Sequence, residues 1–144
     1  VITPVGPSEE IQVVVKPDSS IEYGKYLAQS VANCRGCHTD RDMKTGKYVG
    51  PFYAGGFKMP CETNPELILV SPNITTDPTT GRLANWTEQE FIQRFRKGKI
   101  IKESMMPWGQ FLNLSDLELK AIYRYLQSIP PVTNNTGPVL ISAK

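Results

Sequence analysis

The chain has 144 residues and a net charge of +2, with positive and negative residues interspersed, so its charge gives no indication of a nucleic-acid partner. No apolar run approaches the roughly 20 residues that a membrane-spanning helix requires, so no transmembrane segment is predicted in this sequence. The length suits one domain, and eleven Gly and twelve Pro indicate a high content of loops and turns.

The chain is predicted to contain one domain with an extension at each end. Residues 1–18 hold three prolines around the apolar run IQVVV, which is typical of an extended arm or linker. Residues 19–132 form the domain, and 133–144 a C-terminal tail. Because the chain opens at Val1 without a signal-peptide pattern, we expect a processed or excised portion of a longer product.

Three helices are predicted, each introduced by a Ser or Thr with a Glu three residues later, which is the capping-box pattern. These pairs are Ser19 with Glu22, Thr87 with Glu90, and Ser115 with Glu118. The predicted helices run from about Ser20 into the cysteine motif described below, from Thr87 to Gly98, and from Ser115 to the residue before Pro130.

The stretch between the first two helices, 39–85, shows almost no helical periodicity and is interrupted by many Gly and Pro residues. A loop of this length is uncommon in a globular domain unless it has a function, such as wrapping around a ligand. The sequence therefore predicts a bound group in the middle of the domain.

The stretch NCRGCHTD, residues 33–40, holds two of the three cysteines and the single histidine of the chain. The pattern C-x-x-C-H is the attachment signature of a covalent c-type haem. Cys34 and Cys37 would form thioethers to the haem, and His38 would bind one face of the iron. Cys61 would then remain as a buried or loop thiol.

Two other interpretations of the motif are considered. A zinc site needs four N or S ligands, which the three cysteines and His38 just provide. A thioredoxin-like redox pair expects a strand before the motif and a parallel-sheet pattern around it, and the sequence shows neither.

The opposite face of the iron needs a second ligand, and methionine is the natural candidate because there is no second histidine. Met43 lies too near His38 to reach round a porphyrin. Met106 is favoured because it lies between the second and third helices and Pro107 stiffens the backbone directly after it. Met105 and Met59 remain alternatives, and filling gaps in the core is the usual role of methionine.

A series of motifs spans residues 20–132 in a fixed order. They are a helix with Gly24, the C-x-x-C-H motif, Gly50-Pro51, a Trp at the start of the middle helix, Met106-Pro107 and an Ile-x-x-Tyr-Leu in the last helix. Together they resemble class I c-type cytochromes. The stretches GKYLAQSVANCRGCHTD and SPNITTDPTTGRLANWTEQEF look like haem modules in cytochrome subunits of bacterial membrane-bound alcohol and sugar-acid dehydrogenases. Those subunits carry several such modules, whereas this sequence has one.

The resemblance implies an all-α cytochrome c fold, with three main helices and long loops wrapped around one covalent haem c. It implies that Gly24 and Tyr125 form the contact between the first and last helices. It also implies that the Pro51 carbonyl accepts a hydrogen bond from His38, that the Trp86 indole reaches a haem propionate, and that Asn73 and Thr75 lie near the propionates.

With His38 and Met106 both on the iron, no coordination position is open, so the expected function is electron transfer between redox proteins such as a dehydrogenase, an oxidase or a reductase. Bacteria attach haem covalently outside the cytoplasm, so a periplasmic location is expected, with any membrane anchor lying outside this sequence. One alternative is a haem domain excised from a larger redox enzyme complex. A haem enzyme or gas sensor would require Met106 to be absent from the iron or labile.

Overall fold

Five helices and three short strands are formed by residues 15–144, which are the residues that this computed structural model describes. The helices are α1 (Ile21–Tyr26, continued by a π-helical turn at Leu27–Val31), α2 (Cys34–Cys37), α3 (Glu88–Arg96), α4 (Trp108–Phe111) and α5 (Asp116–Ser128). The strands are β1 (Lys58–Pro60), β2 (Leu67–Val70) and β3 (Leu140–Ser142). Most of the predicted arm 1–18 lies outside the described residues, although Val15 packs against the core. No helix within the described residues is long and apolar enough to cross a bilayer.

Helices α3 and α5 begin at the predicted capping boxes. The Thr87 hydroxyl accepts from the backbone N–H of Glu90, and the Glu90 carboxylate accepts from the N–H of Thr87. Ser115 and Glu118 form the same reciprocal pair at α5. Each box satisfies two backbone donors that the first turn of a helix leaves free, so these predicted starts are confirmed.

The first helix begins near the predicted position but does not run unbroken into the cysteine motif. Its N-cap is Ser20, whose hydroxyl accepts from the N–H of Tyr23, whereas the Ser19 hydroxyl accepts from Arg124. After the π-helical turn, Asn33 adopts a left-handed conformation with φ of 49°. Asparagine tolerates this conformation better than most residues, and here it turns the chain into the short helix α2.

Helices α1 and α5 cross at Gly24. A Cβ atom at this position would lie 1.9 Å from the carbonyl oxygen of Ala121 and 2.9 Å from the Cβ of Tyr125. Only glycine permits so close an approach, so the predicted contact between Gly24 and Tyr125 is confirmed. Around this crossing, α3 and α5 contribute the largest share of the buried core, namely Phe91, Ile92, Phe95, Leu119, Ile122 and Leu126.

The three strands form an antiparallel sheet in the order β1-β2-β3, which the sequence analysis did not predict. Strand β2 is central, with Leu69 opposite Met59 on one side and opposite Leu140 on the other. The all-α description therefore fits the helical core but not the whole domain. Residues 133–144, predicted to be a tail, supply β3 to this sheet.

Candidate functional site

A cavity of about 250 Å³ opens among α2, α3, α5 and the segment that leads into α4. Its wall contains the whole C-x-x-C-H motif, Cys34, Cys37 and His38, together with Met106. Most of the remaining wall is apolar, including Leu69, Leu83, Phe91, Phe95, Ile122 and Leu126. The fold therefore brings the predicted thioether and axial positions to one cavity.

The geometry of α2 places both thiols of the motif on the cavity wall. The backbone N–H of His38 donates to the carbonyl of Cys34 at 2.9 Å, which closes the helical turn between the cysteines. A Cβ at Gly36 would lie 2.3 Å from the side-chain oxygen of Asn33, so a larger residue there would require the Asn33 side chain to move. Burial raises the pKa of the Cys34 thiol to about 12. Such a thiol is unlike the reactive, low-pKa cysteine of a redox pair.

The imidazole of His38 is held by the loop that follows β2. Its Nδ1 lies 2.9 Å from the carbonyl oxygen of Pro72. When Nδ1–H donates to this oxygen, Nε2 is left as the free metal-binding atom. Burial lowers the pKa of His38, which favours the neutral imidazole that a metal requires.

The prediction that Pro51 accepts the histidine hydrogen bond is wrong. Pro51 is exposed, and its carbonyl accepts from the N–H of Ala54 at 3.3 Å. The physical reason lies at Gly55, whose N–H donates to the carbonyl of His38. A Cβ on Gly55 would lie only 2.4 Å from the carbonyl carbon of Pro72. Because glycine has no Cβ, the Pro72 peptide can approach this closely, and its carbonyl lies beside the imidazole.

Among the methionines, Met106 combines a place on the cavity wall with packing against the core. Its N–H donates to the Ser104 hydroxyl at 3.4 Å, and its carbonyl accepts from the N–H of Trp108 at 2.7 Å. Met105 also lines the cavity but is 44% exposed. Met43 is 64% exposed and lies away from the wall.

Met59 is the third methionine on the cavity wall, and it reaches the wall from β1. Trp86 also lines the cavity, while its carbonyl accepts from the Tyr123 hydroxyl at 2.6 Å. Both residues therefore line the cavity, and their roles towards a bound group stay predictions.

Asn73 and Thr75 are not brought to the cavity. Side chains alternate along this segment, so Pro72 and Ile74 line the wall while Asn73 and Thr75 do not. The Asn73 amide donates to the carbonyl of Val132 at 2.7 Å, and the Thr75 hydroxyl donates to the Asn73 side-chain oxygen at 2.8 Å. These two buried side chains fasten the loop to the segment after α5 instead of facing the proposed propionates.

The wall also contains residues that the sequence did not mark, and three of them come from different segments of the chain. Arg82 precedes α3, Arg94 lies within α3, and Val139 comes from the segment leading into β3. No local motif marks these residues, because tertiary packing alone brings them to the same cavity.

The alternatives for the cysteine motif lack support in the fold. Cys61 is buried, lies 3.4 Å from the Thr63 hydroxyl and is absent from the cavity wall. Within residues 15–144, no group of three or more Cys, His, Asp or Glu side chains is arranged to hold a metal ion. A helix rather than a strand precedes the motif. The residues on the wall instead fit a covalent haem, with two thiols, an imidazole and methionine sulfur in an apolar cavity.

The motif, the helical core and the cavity together describe a c-type cytochrome domain. Residues 20–126 match the family described as cytochrome c oxidase, cbb3-type, subunit III. The chain therefore belongs to this family of c-type cytochrome domains.

Several curated proteins are similar to the chain. It is 32% identical over 128 residues to the alcohol dehydrogenase (quinone), cytochrome c subunit, of Gluconobacter oxydans, covering 84% of this chain and 24% of that protein. It is 33% identical over 119 residues to the fructose dehydrogenase cytochrome subunit of Gluconobacter japonicus, covering 78% and 22%. It is 32% identical over 121 residues to the gluconate 2-dehydrogenase cytochrome c subunit of Pantoea cypripedii, covering 80% and 24%. The chain thus spans about a quarter of the length of these relatives.

Proposed function

We propose that this chain is an electron-transfer domain that carries one covalent haem c, with His38 and Met106 as axial ligands. The observation that supports this most strongly is the placement of Cys34, Cys37, His38 and Met106 on one apolar cavity in a c-type cytochrome domain. The haem supplies a one-electron Fe(III)/Fe(II) couple. The protein holds it, orients its ligands and controls its surroundings.

The residues proposed to hold the haem have three different tasks. Cys34 and Cys37 anchor the group through thioether bonds, which fixes its position relative to His38. The Pro72 carbonyl holds the imidazole by its Nδ1–H and so keeps Nε2 directed into the cavity. Methionine sulfur is a soft ligand that favours Fe(II), so Met106 raises the reduction potential relative to a bis-histidine site.

The aromatic wall serves to exclude water. Phe91, Phe95, Trp108 and Phe111 are all buried, and the rings of Phe95 and Trp108 lie 5.5 Å apart in an edge-on contact. A dry surrounding disfavours the more highly charged oxidised site and so adds to the effect of the methionine. If His38 and Met106 both bind the iron, no coordination position would be open to a substrate, which favours a carrier over an enzyme.

The proposed partners are redox proteins, and the first candidate is a dehydrogenase. This rests on the relatives, which are described as cytochrome subunits of alcohol, fructose and gluconate dehydrogenases. The domain would accept electrons from such an enzyme and pass them to a further acceptor, either as a separate carrier or as a relay within a larger complex. Because bacteria attach haem covalently outside the cytoplasm, the proposed location is the periplasm, and any membrane anchor would lie outside residues 15–144.

Expression with a c-type maturation system tests the covalent haem. The protein should be red, and its pigment should stay with the polypeptide after extraction with acidified acetone. Replacing both Cys34 and Cys37 by Ala should leave no bound pigment after extraction, whereas the matched variant Cys61→Ser should keep it. A colourless wild-type product, or one whose pigment is fully extracted, would contradict the proposed function.

A further inference from the structure

Two arginines from different elements converge on the wall of the cavity. Arg82 comes from the loop before α3, and Arg94 comes from the last turn of α3. Burial lowers the pKa of the Arg94 guanidinium, and the nearby positive charge of Arg82 lowers this pKa further. Two positive charges therefore stand close together beside an otherwise apolar space.

Neither arginine has a carboxylate partner among the described residues. The ion pairs found within residues 15–144 are Arg96–Asp116, Lys120–Glu88, Arg124–Glu88 and Lys144–Glu66. Arg94 donates to the carbonyl of Gly98 at 2.7 Å and lies 3.7 Å from the centre of the Trp108 ring. These contacts orient its guanidinium but leave its charge uncompensated.

Arg82 is exposed and Arg94 is partly buried, so the cost of desolvation falls mainly on Arg94. An anion beside the pair would offset this cost and the repulsion between the two charges. The group that fits this cavity carries two propionate carboxylates, one for each guanidinium. Carboxylates are also the anions that a guanidinium binds best, through paired hydrogen bonds. The number and sign of the charges thus match.

We propose that Arg82 and Arg94 bind the propionate carboxylates of the haem and keep positive charge at the rim of the cavity. This inference rests on the proposed function, since it requires the haem. It also replaces Asn73 and Thr75, which face away from the cavity, as the residues expected to meet the propionates.

The proposal has two measurable consequences. Positive charge beside the haem disfavours the oxidised, more positive iron, so it raises the reduction potential. It also stabilises the ionised carboxylates and lowers their pKa values, so that the potential varies little with pH around neutrality. Losing one guanidinium should lower the reduction potential at the pH values where the propionates are ionised. It should also raise the pKa values of the propionates towards neutral pH.

The test uses Arg82→Gln and Arg94→Gln in protein already shown to hold covalent haem. The midpoint potential is measured from acid to alkaline pH in each variant. We expect both variants to have a lower potential on the alkaline side of neutrality and a stronger pH dependence near neutrality. Arg82→Lys and Arg94→Lys should recover much of the potential, because lysine retains the charge. Lys97→Gln is the matched control, since it removes an exposed cation after α3 that does not line the cavity.

The outcomes separate this inference from the proposed function. If the haem is covalently bound but the Gln variants keep the wild-type potential and pH profile, the inference is overturned and the cytochrome assignment stands. If only Arg94→Gln has an effect and lysine fails to restore it, Arg94 acts by packing on Trp108, which also overturns the inference. If Arg94→Gln fails to fold, Arg82 decides the question, because its exposed side chain makes no hydrogen bond to another described residue. If the wild type binds no covalent haem, both proposals fail.

Discussion

The Nδ1 atom of His38 lies 2.9 Å from the carbonyl oxygen of Pro72, which is 34 positions further along the chain. The orientation of the proposed axial ligand therefore depends on the loop after β2 and not on the cysteine motif itself. A hydrogen bond at Nδ1 increases the donor strength of the opposite nitrogen, so this contact would also influence the iron of the proposed haem.

Pro72→Gly is expected to loosen the backbone that carries this carbonyl. Weaker bonding at Nδ1 makes His38 a poorer donor to Fe(III), so the reduction potential should rise and the Nδ1 proton should exchange faster with solvent. Voltammetry and proton NMR of the haem-loaded protein measure these two effects. Pro51→Gly should change neither the potential nor the proton exchange, because the carbonyl of Pro51 accepts a hydrogen bond from Ala54 and not from His38. Equal effects of the two substitutions would argue against this role for Pro72.

Met106→Ala should remove the sulfur ligand and open one face of the iron. The far-red absorption band that marks methionine sulfur on ferric haem should disappear, and the reduced protein should then bind carbon monoxide. Met105→Ala and Met59→Ala are the matched controls, and both should retain the band and exclude carbon monoxide. If Met59→Ala loses the band while Met106→Ala keeps it, the ligand comes from β1 instead.

Asp77 should make the stability of the protein depend on pH. Its carboxylate accepts from the hydroxyls of Thr133 at 2.7 Å and Thr80 at 2.7 Å, and these bonds hold its pKa well below the ordinary value of 3.8. A lowered pKa means that the stabilisation is present at neutral pH and is lost as the pH falls below 3.8. Asp77→Asn should therefore lower the free energy of unfolding at neutral pH, and the variant and wild type should converge in acid.

The difference between the two proteins is the quantity to measure, because the iron ligands are also sensitive to acid. Urea denaturation at several pH values gives this difference. Glu62→Gln, at an exposed position in the loop between β1 and β2, should match the wild type at each pH. A constant difference between Asp77→Asn and the wild type from neutral pH into acid would contradict the prediction.

Local signals in the sequence were sufficient to predict the features whose determinants lie within a few residues. The capping boxes at Thr87 and Ser115 and the pattern from Cys34 to His38 are of this kind. Each involves groups that meet within one helical turn. The first helix was less well predicted, because the π-helical turn and the left-handed conformation of Asn33 interrupt it before the cysteine motif.

Features that depend on distant parts of the chain were missed. The strands are three or four residues long, too short for an alternating pattern to be recognised, and β3 comes from a segment that was predicted to be a tail. Pro72 could not be distinguished from Pro51 as the partner of His38 until the close approach at Gly55 was known. The convergence of Arg82 and Arg94 likewise follows from packing.

The helix crossing at Gly24 gives a prediction with an internal control. Alanine at this position would place its Cβ 1.9 Å from the backbone oxygen of Ala121, and a backbone atom in the middle of α5 cannot move aside. Gly24→Ala should therefore lower the free energy of unfolding by about 3 kcal/mol, as overpacking in a core commonly does. Gly109 also lies in a helix, but a Cβ there would meet nothing within 4 Å.

Gly109→Ala should thus be neutral or stabilising by up to about 1 kcal/mol, because alanine restricts the unfolded chain and favours the helix. Urea denaturation of the two haem-loaded variants, followed by helical circular dichroism, provides the comparison. Both substitutions add a methyl group to a helical glycine. A large difference between their free energies of unfolding therefore measures the cost of the tight approach of α1 to α5. Similar stabilities for the two variants would mean that the helices separate easily, and that the close contact between Gly24 and Tyr125 is not required for the fold.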